Sequence, residues 1–435
     1  MADAYNALLL PPKKSGIDDD FSDSDDDVDQ PPPEESEPSA VVYAEGCKAE
    51  GAPRCSQWHR ACVSHAVEVS ISHYGLRPRG ARLLAPSLAA NSHVQSLDLS
   101  DNGLGPEGVC ALLGALEGFV GIGRSKQPAA PVLRALSLRQ NEAGLEGAQS
   151  VAVLLRGSHR LQSLDFAANA IGDKGVSAIA DALASNETLR MLCVEHNQIE
   201  DDGMGQLAAA LKENRTLTSL SIEWNAVGPV GAKALADVLP EQPTLRALNL
   251  GWNGLGDQGI ASLAAALEAP AEMNELVDMR LHHNRCSSVA ALPLARALVT
   301  LEMLDVSGNP LGAGGASALL LAQQETRGRP ARGASAAGAE AAPRCRVIME
   351  DVCVRPDTAL AGLLLRAADA EEISTEDLQQ TGVYAAAEVA AAGSKENQGK
   401  KLVDSRPPTK GKKIRADTRP EMIPPTAEVK SGKKK

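Results

Sequence analysis

Aromatic residues make up only 2% of this 435-residue chain: three Trp, four Tyr and three Phe. Separate globular domains rely on aromatic side chains for much of their buried area. So few of them argue against the three ordinary domains that the length alone would suggest. No run of 18 apolar residues occurs, which excludes a membrane-spanning helix. The opening Met1–Lys14 stretch has a short apolar segment with its lysines after it, the reverse of a secretion signal. Eight Cys lie scattered at positions 47, 55, 62, 110, 193, 286, 345 and 353. Without an export signal they are expected to be reduced thiols of a cytoplasmic protein. Only eight His are present, leaving few general bases. No Ser/His/Asp, Cys/His or paired-carboxylate constellation stands out. The chain is therefore expected not to be an enzyme and to need no cofactor or metal.

What the chain does have is aliphatic. Apolar residues reach 43%, mostly Leu, Val, Ile and Ala, enough for a sizeable core. The net charge of −13 is unevenly placed. Residues 1–40 carry twelve acidic and two basic side chains, whereas residues 395–435 carry thirteen basic and five acidic. An acidic arm, a mildly acidic body and a basic tail follow one another.

The body is repetitive. Leu97-Asp98-Leu99-Ser100-Asp101-Asn102-Gly103-Leu104 recurs as Leu164 to Ile171, Leu220 to Val227 and Leu248 to Leu255, the pattern L-x-L-x-x-N-x-L. Its asparagines are Asn102, Asn141, Asn169, Asn197, Asn225, Asn253, Asn284 and Asn309. From Asn141 to Asn253 every step is 28 residues. One further step back from Asn102 lands on Tyr74, where Val69, Ile71 and Leu76 keep the apolar frame and imply a degenerate opening unit. An insertion near residues 118–131 accounts for the single 39-residue step. Each unit begins with strand-like alternation. Each continues with apolar residues at helical spacing, as Val176, Ile179, Ala180 and Leu183 show. Strand plus helix in this period is the leucine-rich repeat, with each Asn amide bonding neighbouring turns in a ladder. Long units put full helices on the outside. The expected α/β fold is a solenoid (horseshoe) of about nine to ten repeats, with a concave parallel sheet and convex helices.

This pattern resembles the ribonuclease-inhibitor-like leucine-rich repeat family. Within it, Tyr43, Cys47, Gly51 and Pro53, followed by Gly75-Leu76-Arg77-Pro78-Arg79-Gly80-Ala81, are similar to the leucine-rich repeat-containing protein 74 group. The resemblance implies a protein-binding scaffold, and by analogy a cytoskeletal or ciliary setting. The Ran GTPase-activating proteins use the same horseshoe but carry an acidic tail after it. Here the acidic block precedes the repeats and a basic tail follows, so regulation of a small GTPase is the alternative.

Solenoid ends need covering. Residues 41–66 are expected to form a helical front cap, 67–325 the array, 326–344 an Ala/Gly/Arg-rich loop and 345–394 a back cap. That back cap would open on a strand at Arg346–Glu350. Residues 1–40 and 395–435 are expected to be disordered.

Three other motifs come close to ligand sites. Gly118 to Ser125 nearly spells a phosphate loop, but Arg124 replaces the lysine and the segment follows a helix. The acidic run Asp18 to Asp27 lacks the Gly and Glu of a calcium loop. It reads as a solvated arm in which Ser22 and Ser24 suit acid-directed kinases. Cys55, His59, Cys62 and His65 have ligand chemistry, but their spacing fits no usual zinc pair.

The binding face is expected on the concavity. The residues before successive asparagines include His196, Trp224, Trp252 and His283, with Glu195, Glu223, Gly251 and His282 one position earlier. Cys193, Ser221, Asn249 and Arg280 lie further back on the strands. Adjacent strands stand roughly 4.8 Å apart, so the two Trp should be side by side. Glu195, His196, Glu223, Trp224, Trp252, Arg280, His282 and His283 are the expected partner-binding set, because Trp is a frequent interface hot spot. In the tail, Lys410, Lys412, Lys413 and Arg415 suit an acidic partner surface such as tubulin tails. The tail lacks aromatics to stack bases, so selective nucleic-acid binding is not expected.

Overall fold

A computed structural model describes residues 37–117, 132–158, 160–268, 274–325 and 345–349. The expected acidic arm, the insertion, the loop at 326–344, most of the back cap and the basic tail lie outside these residues. All of the described residues fall in the first of two units, Met1–Ala391.

Two helices come first, α1 (Pro38–Glu50) and α2 (Ser56–Val63). Then strands and helices alternate: β1 (Glu68–Ser70), α3 (Arg77–Ala90), β2 (Ser96–Asp98), α4 (Gly105–Glu117), β3 (Ala135–Ser137), α5 (Gly144–Gly157), β4 (Ser163–Asp165) and α6 (Gly172–Leu183). The order continues through β5 (Met191–Cys193), α7 (Asp201–Glu213), β6 (Ser219–Ser221), α8 (Pro229–Val238), β7 (Ala247–Asn249) and α9 (Gly256–Glu268). It ends with β8 (Asp278–Arg280), α10 (Ser288–Ala297), β9 (Met303–Asp305), α11 (Gly312–Glu325) and β10 (Arg346–Ile348). The ten strands form one parallel sheet in strict chain order.

The register explains the sequence pattern. Leu97, Leu136, Leu164, Leu192, Leu220, Leu248, Met279, Leu304 and Val347 sit opposite one another at the centres of successive strands. These residues are buried, as are Leu99, Leu138, Phe166, Val194, Ile222, Leu250, Leu281, Val306 and Met349 two places on. Each fully buried Leu is worth about 1.5–3 kcal/mol of transfer free energy, so the repeat supplies a continuous aliphatic core without aromatics. On α6, Val176, Ile179, Ala180 and Leu183 are the buried stripe. Small residues set the spacing of neighbouring helices: a Cβ at Gly259 on α9 would press on the Ala232 methyl of α8, 2.9 Å away.

The degenerate opening unit is β1 with α3. The front cap differs from the single helical segment expected over 41–66. It is two helices beginning at Pro38, parted where Gly51 turns left-handed (φ 59°) and Pro53 follows. Cys55 N–H donates to the Tyr43 hydroxyl (2.9 Å), which ties the two cap helices together. Trp58 Nε1 donates to Ser87 Oγ on α3 (2.8 Å), and that hydroxyl donates to the Ser39 carbonyl (2.6 Å).

Candidate functional site

A ladder of side-chain amides runs beneath the concave rim. Asn169 is typical. Its Nδ2 donates to the carbonyls of Leu138, Phe166 and Ala167 (2.9–3.1 Å). Its Oδ1 accepts the backbone N–H groups of Asn141 and Ala143 (3.1 and 3.2 Å). The same bonding recurs at Asn102, Asn141, Asn197, Asn225, Asn253, Asn284 and Asn309. Each amide closes turns that would otherwise leave buried backbone groups unpaired. Seven of the eight are buried, and Asn225 is half-buried.

The residue before each ladder Asn has left-handed backbone. Asp101, Gln140, Ala168, His196, Trp224, Trp252 and His283 all have φ between 52° and 59°. This conformation reverses the chain, so the Asn turns inward while the preceding side chain stays on the rim. The backbone N–H groups of His196, Trp224, Trp252 and His283 bond the next unit's carbonyls at 2.8–3.0 Å, fixing these side chains in one column.

The four rings form a continuous stack. His196 and Trp224 have centroids 4.8 Å apart, Trp224 and Trp252 4.0 Å, and Trp252 and His283 3.8 Å, all within 18° of parallel. The stack ends where the side chains shrink, at Ala168 on one side and Gly308 on the other. A Cβ on Gly308 would occupy the position of the His283 ring. Trp224 is 42% and Trp252 38% exposed, large values for indoles. Beside them an open groove of about 560 Å³ is lined by Ala226, Gly254, Arg285 and Pro310 as well as the rings.

The other expected binding residues behave differently. Glu195 accepts from Arg139 Nη1 (3.1 Å) and Ser221 Oγ (2.7 Å). Glu223 accepts from Asn249 Nδ2 (2.8 Å), and its other oxygen is 3.1 Å from His282 Nε2. That bond crosses the intervening strand over Gly251, where any Cβ would meet the His282 ring. Asp305 lies 3.5 Å from the far side of the imidazole. Arg280 pairs with Asp278 at 3.3 Å. Burial works against charge on His282, but the Glu223 bond and the Asp305 charge overcome it and raise its pKa. For Glu223 burial is likewise outweighed, by the His282 and Asn249 bonds, and its pKa falls. The Cys193 thiol beneath is pushed up by complete burial, which makes it unreactive. The eight residues therefore divide: His196, Trp224, Trp252 and His283 form the accessible column, while Glu195, Glu223, Arg280 and His282 are spent on an internal polar network.

Two features were not read from the sequence. A second amide spine lies at the helix-to-strand turns. Asn214 Nδ2 donates to the carbonyls of Leu183 (2.8 Å) and Asn186 (2.9 Å), and Asn186 Nδ2 donates to Leu155 (2.7 Å). Its signal was the recurring Asn186-Glu187-Thr188-Leu189 and Asn214-Arg215-Thr216-Leu217, again one period apart. The other concerns metal-type ligands. Cys55, His59, Cys62 and His65 do not converge. Cys55 N–H bonds Tyr43, the Cys62 sulfur faces Asn91, and burial raises both thiols. Among the described residues, the one group close enough to share an ion is Glu37, His65 and His93.

Six segments match the family described as Leucine Rich repeat: residues 90–113, 157–180, 185–208, 213–236, 241–264 and 297–320. With the ten-stranded parallel sheet, they make the fold a leucine-rich repeat solenoid. A solved structure, Leiomodin-1 Actin-Binding Site 2 (ABS2), is 21% identical, with 29% of this chain and 73% of that chain covered and a TM-score of 0.25. A likeness that loose bears on neither shape nor partner. No helix among the described residues is long and apolar enough to cross a membrane.

Proposed function

We propose that the chain is a non-enzymatic scaffold that binds a protein partner on its concave rim. The observation that carries this is the His196–Trp224–Trp252–His283 stack, in which two of the chain's three Trp are held side by side and left exposed. Because the rings lie face to face, their π faces cover one another. What they leave to solvent is ring edges. Edges carry the positive end of the ring quadrupole. They suit peptide carbonyls and apolar side chains rather than a cation. The neighbouring carboxylates of Glu195 and Glu223 are already paired, so they give the patch no free negative charge.

The basic tail, with Lys410, Lys412, Lys413 and Arg415, adds avidity on an acidic surface. The similarity of Tyr43, Cys47, Gly51 and Pro53 to the leucine-rich repeat-containing protein 74 group supports seeking the partner in cytoskeletal and ciliary extracts, tubulin included. The test is affinity capture with three baits: the intact chain, the Trp224→Ala/Trp252→Ala double variant, and a chain ending at residue 394. Loss of a specific protein with the double variant alone supports the rim. Retained capture by a folded double variant overturns it. Loss with the truncated chain alone transfers the function to the tail. Failure of all three baits makes GTPase activation the next assay.

A further inference from the structure

The front cap carries a cluster that the concave face does not use. Glu37 precedes α1, His65 follows α2, and His93 lies in the turn between α3 and β2. One ligand atom from each lies within 4.8 Å of the others. The sequence steps between them are 28 and 28 residues, the period of the array. The packing of the cap against the first repeat sets the three side chains beside one another, with the two imidazole centroids 4.3 Å apart.

Each residue is held in place. His65 closes α2 in left-handed backbone (φ 53°). Its N–H bonds the Cys62 carbonyl (3.3 Å) and the Ala66 N–H bonds Ala61 (3.0 Å), the cap in which Gly is usual. A non-Gly residue there costs about 1–2 kcal/mol. His93 N–H is accepted by Asn91 Oδ1 (2.9 Å), while Asn91 Nδ2 donates to Ser39 Oγ (3.1 Å). Ser39 Oγ in turn donates to Glu37 Oε1 (3.3 Å). One network therefore holds the Glu37 carboxylate and the backbone at His93.

The Glu37 carboxylate accepts from Ser39 through one oxygen and faces His93 with the other. Its side chain is only 9% exposed, and its free oxygen stands 3.8 Å from His93 Nε2, too far for a hydrogen bond. A carboxylate so sequestered is costly unless it is paired or coordinates a cation. Two imidazole nitrogens with one carboxylate oxygen are zinc donors, and three protein ligands leave a fourth position for water. Ligand atoms on tetrahedral zinc stand roughly 3.4 Å apart; Glu37 and His93 stand at 3.8 Å and all three ligand atoms within 4.8 Å, so an ion would draw the side chains together.

We propose that Glu37, His65 and His93 bind Zn²⁺ and so clamp the front cap to the first repeats. The full-length, tag-free chain, stripped of metal, is titrated with Zn²⁺ against a fluorescent chelator, and the loaded protein is studied by X-ray absorption at the zinc edge. One Zn²⁺ per chain is expected, with nitrogen and oxygen scatterers at about 2.0–2.1 Å. His65→Ala, His93→Ala and the near-isosteric Glu37→Gln should each weaken binding tenfold or more and abolish a zinc-dependent rise in Tm. His282→Ala should leave both unchanged. Circular dichroism checks that each variant folds, and Glu37→Gln serves if a histidine variant does not. Affinity unaltered in the folded cap variants would overturn the site. So would sulfur scattering at about 2.3 Å, or no binding at micromolar zinc.

Discussion

Two stretches of one concave rim share a backbone and differ in everything displayed on it. In the early units the column reads Asp101, Gln140 and Ala168; in the later ones it reads His196, Trp224, Trp252 and His283. All seven residues have the same left-handed φ, and each precedes a ladder Asn. Yet Asp101, Gln140 and Ala168 carry no ring, and the nearby cation, Arg139, reaches across to Glu195. The frame therefore does not demand aromatics. Where it carries them, the rings are extra to the fold.

That difference gives the largest predicted effects. The ladder should matter equally in both stretches. Asn141→Ala in the early units and Asn253→Ala in the later ones each remove bonds to three carbonyls and leave backbone N–H groups unpaired. Each should cost about 3 kcal/mol in denaturant unfolding. A cost confined to one stretch would break the equivalence of the two backbones. Column substitutions should separate them next. Trp224→Ala/Trp252→Ala should lose about 2 kcal/mol or more of partner affinity, read by titration calorimetry with the captured protein. Gln140→Ala should leave affinity unchanged.

How far the sequence could be read follows the same division. The strand leucines, the ladder asparagines and the helix stripe repeat at a fixed step, and a period can be counted. Stacking of the Trp pair followed from register, since equivalent positions on adjacent parallel strands must face one another. The pairing of Glu223 with His282 could not be read that way. It skips a strand, and it exists because Gly251 has no side chain to stand between them. Nor was the break in the front cap legible, because its two helices lie before the period is established. His65 and His93 do sit one period apart, but the degenerate opening unit hides that the solenoid brings them together.

The left-handed backbone offers a sharper comparison at intermediate size. At Trp252 (φ 52°) a side chain costs about 1–2 kcal/mol relative to Gly, a strain that ring stacking offsets. Trp252→Gly should therefore be more stable than Trp252→Ala by about 1 kcal/mol, although both remove the same ring. The matched early pair, native Ala168 against Ala168→Gly, should show the same sign and a similar size without any effect on binding. Thermal unfolding of the four proteins measures it. An Ala variant as stable as its Gly counterpart at Trp252, but not at Ala168, would mean that the two stretches do not share a backbone after all.

The smallest effect should be the pH dependence of the later stretch, because on His282 burial and the carboxylate partners oppose one another. The net shift is upward, so protonated His282 is favoured by the folded state. That contribution is complete below the unfolded His pKa, about 6.5. It is lost as pH rises through the higher folded value. Glu223 has the opposite sign: its lowered pKa adds stability above the unfolded Glu value, which disappears as pH falls through the folded one. The pair's contribution is thus complete between the unfolded Glu and unfolded His values and falls away on either side. Raising the pH from 6 to 9 should erode the native chain's stability more than that of His282→Gln, whose side chain does not titrate. Gly251→Ala should flatten the same slope by displacing the imidazole from Glu223, and the His282 ring resonances followed by NMR should then titrate at lower pH. A native slope identical to that of His282→Gln would mean that the bridge over Gly251 contributes nothing, and the polar half of the later concave face would then differ from the early half in composition only.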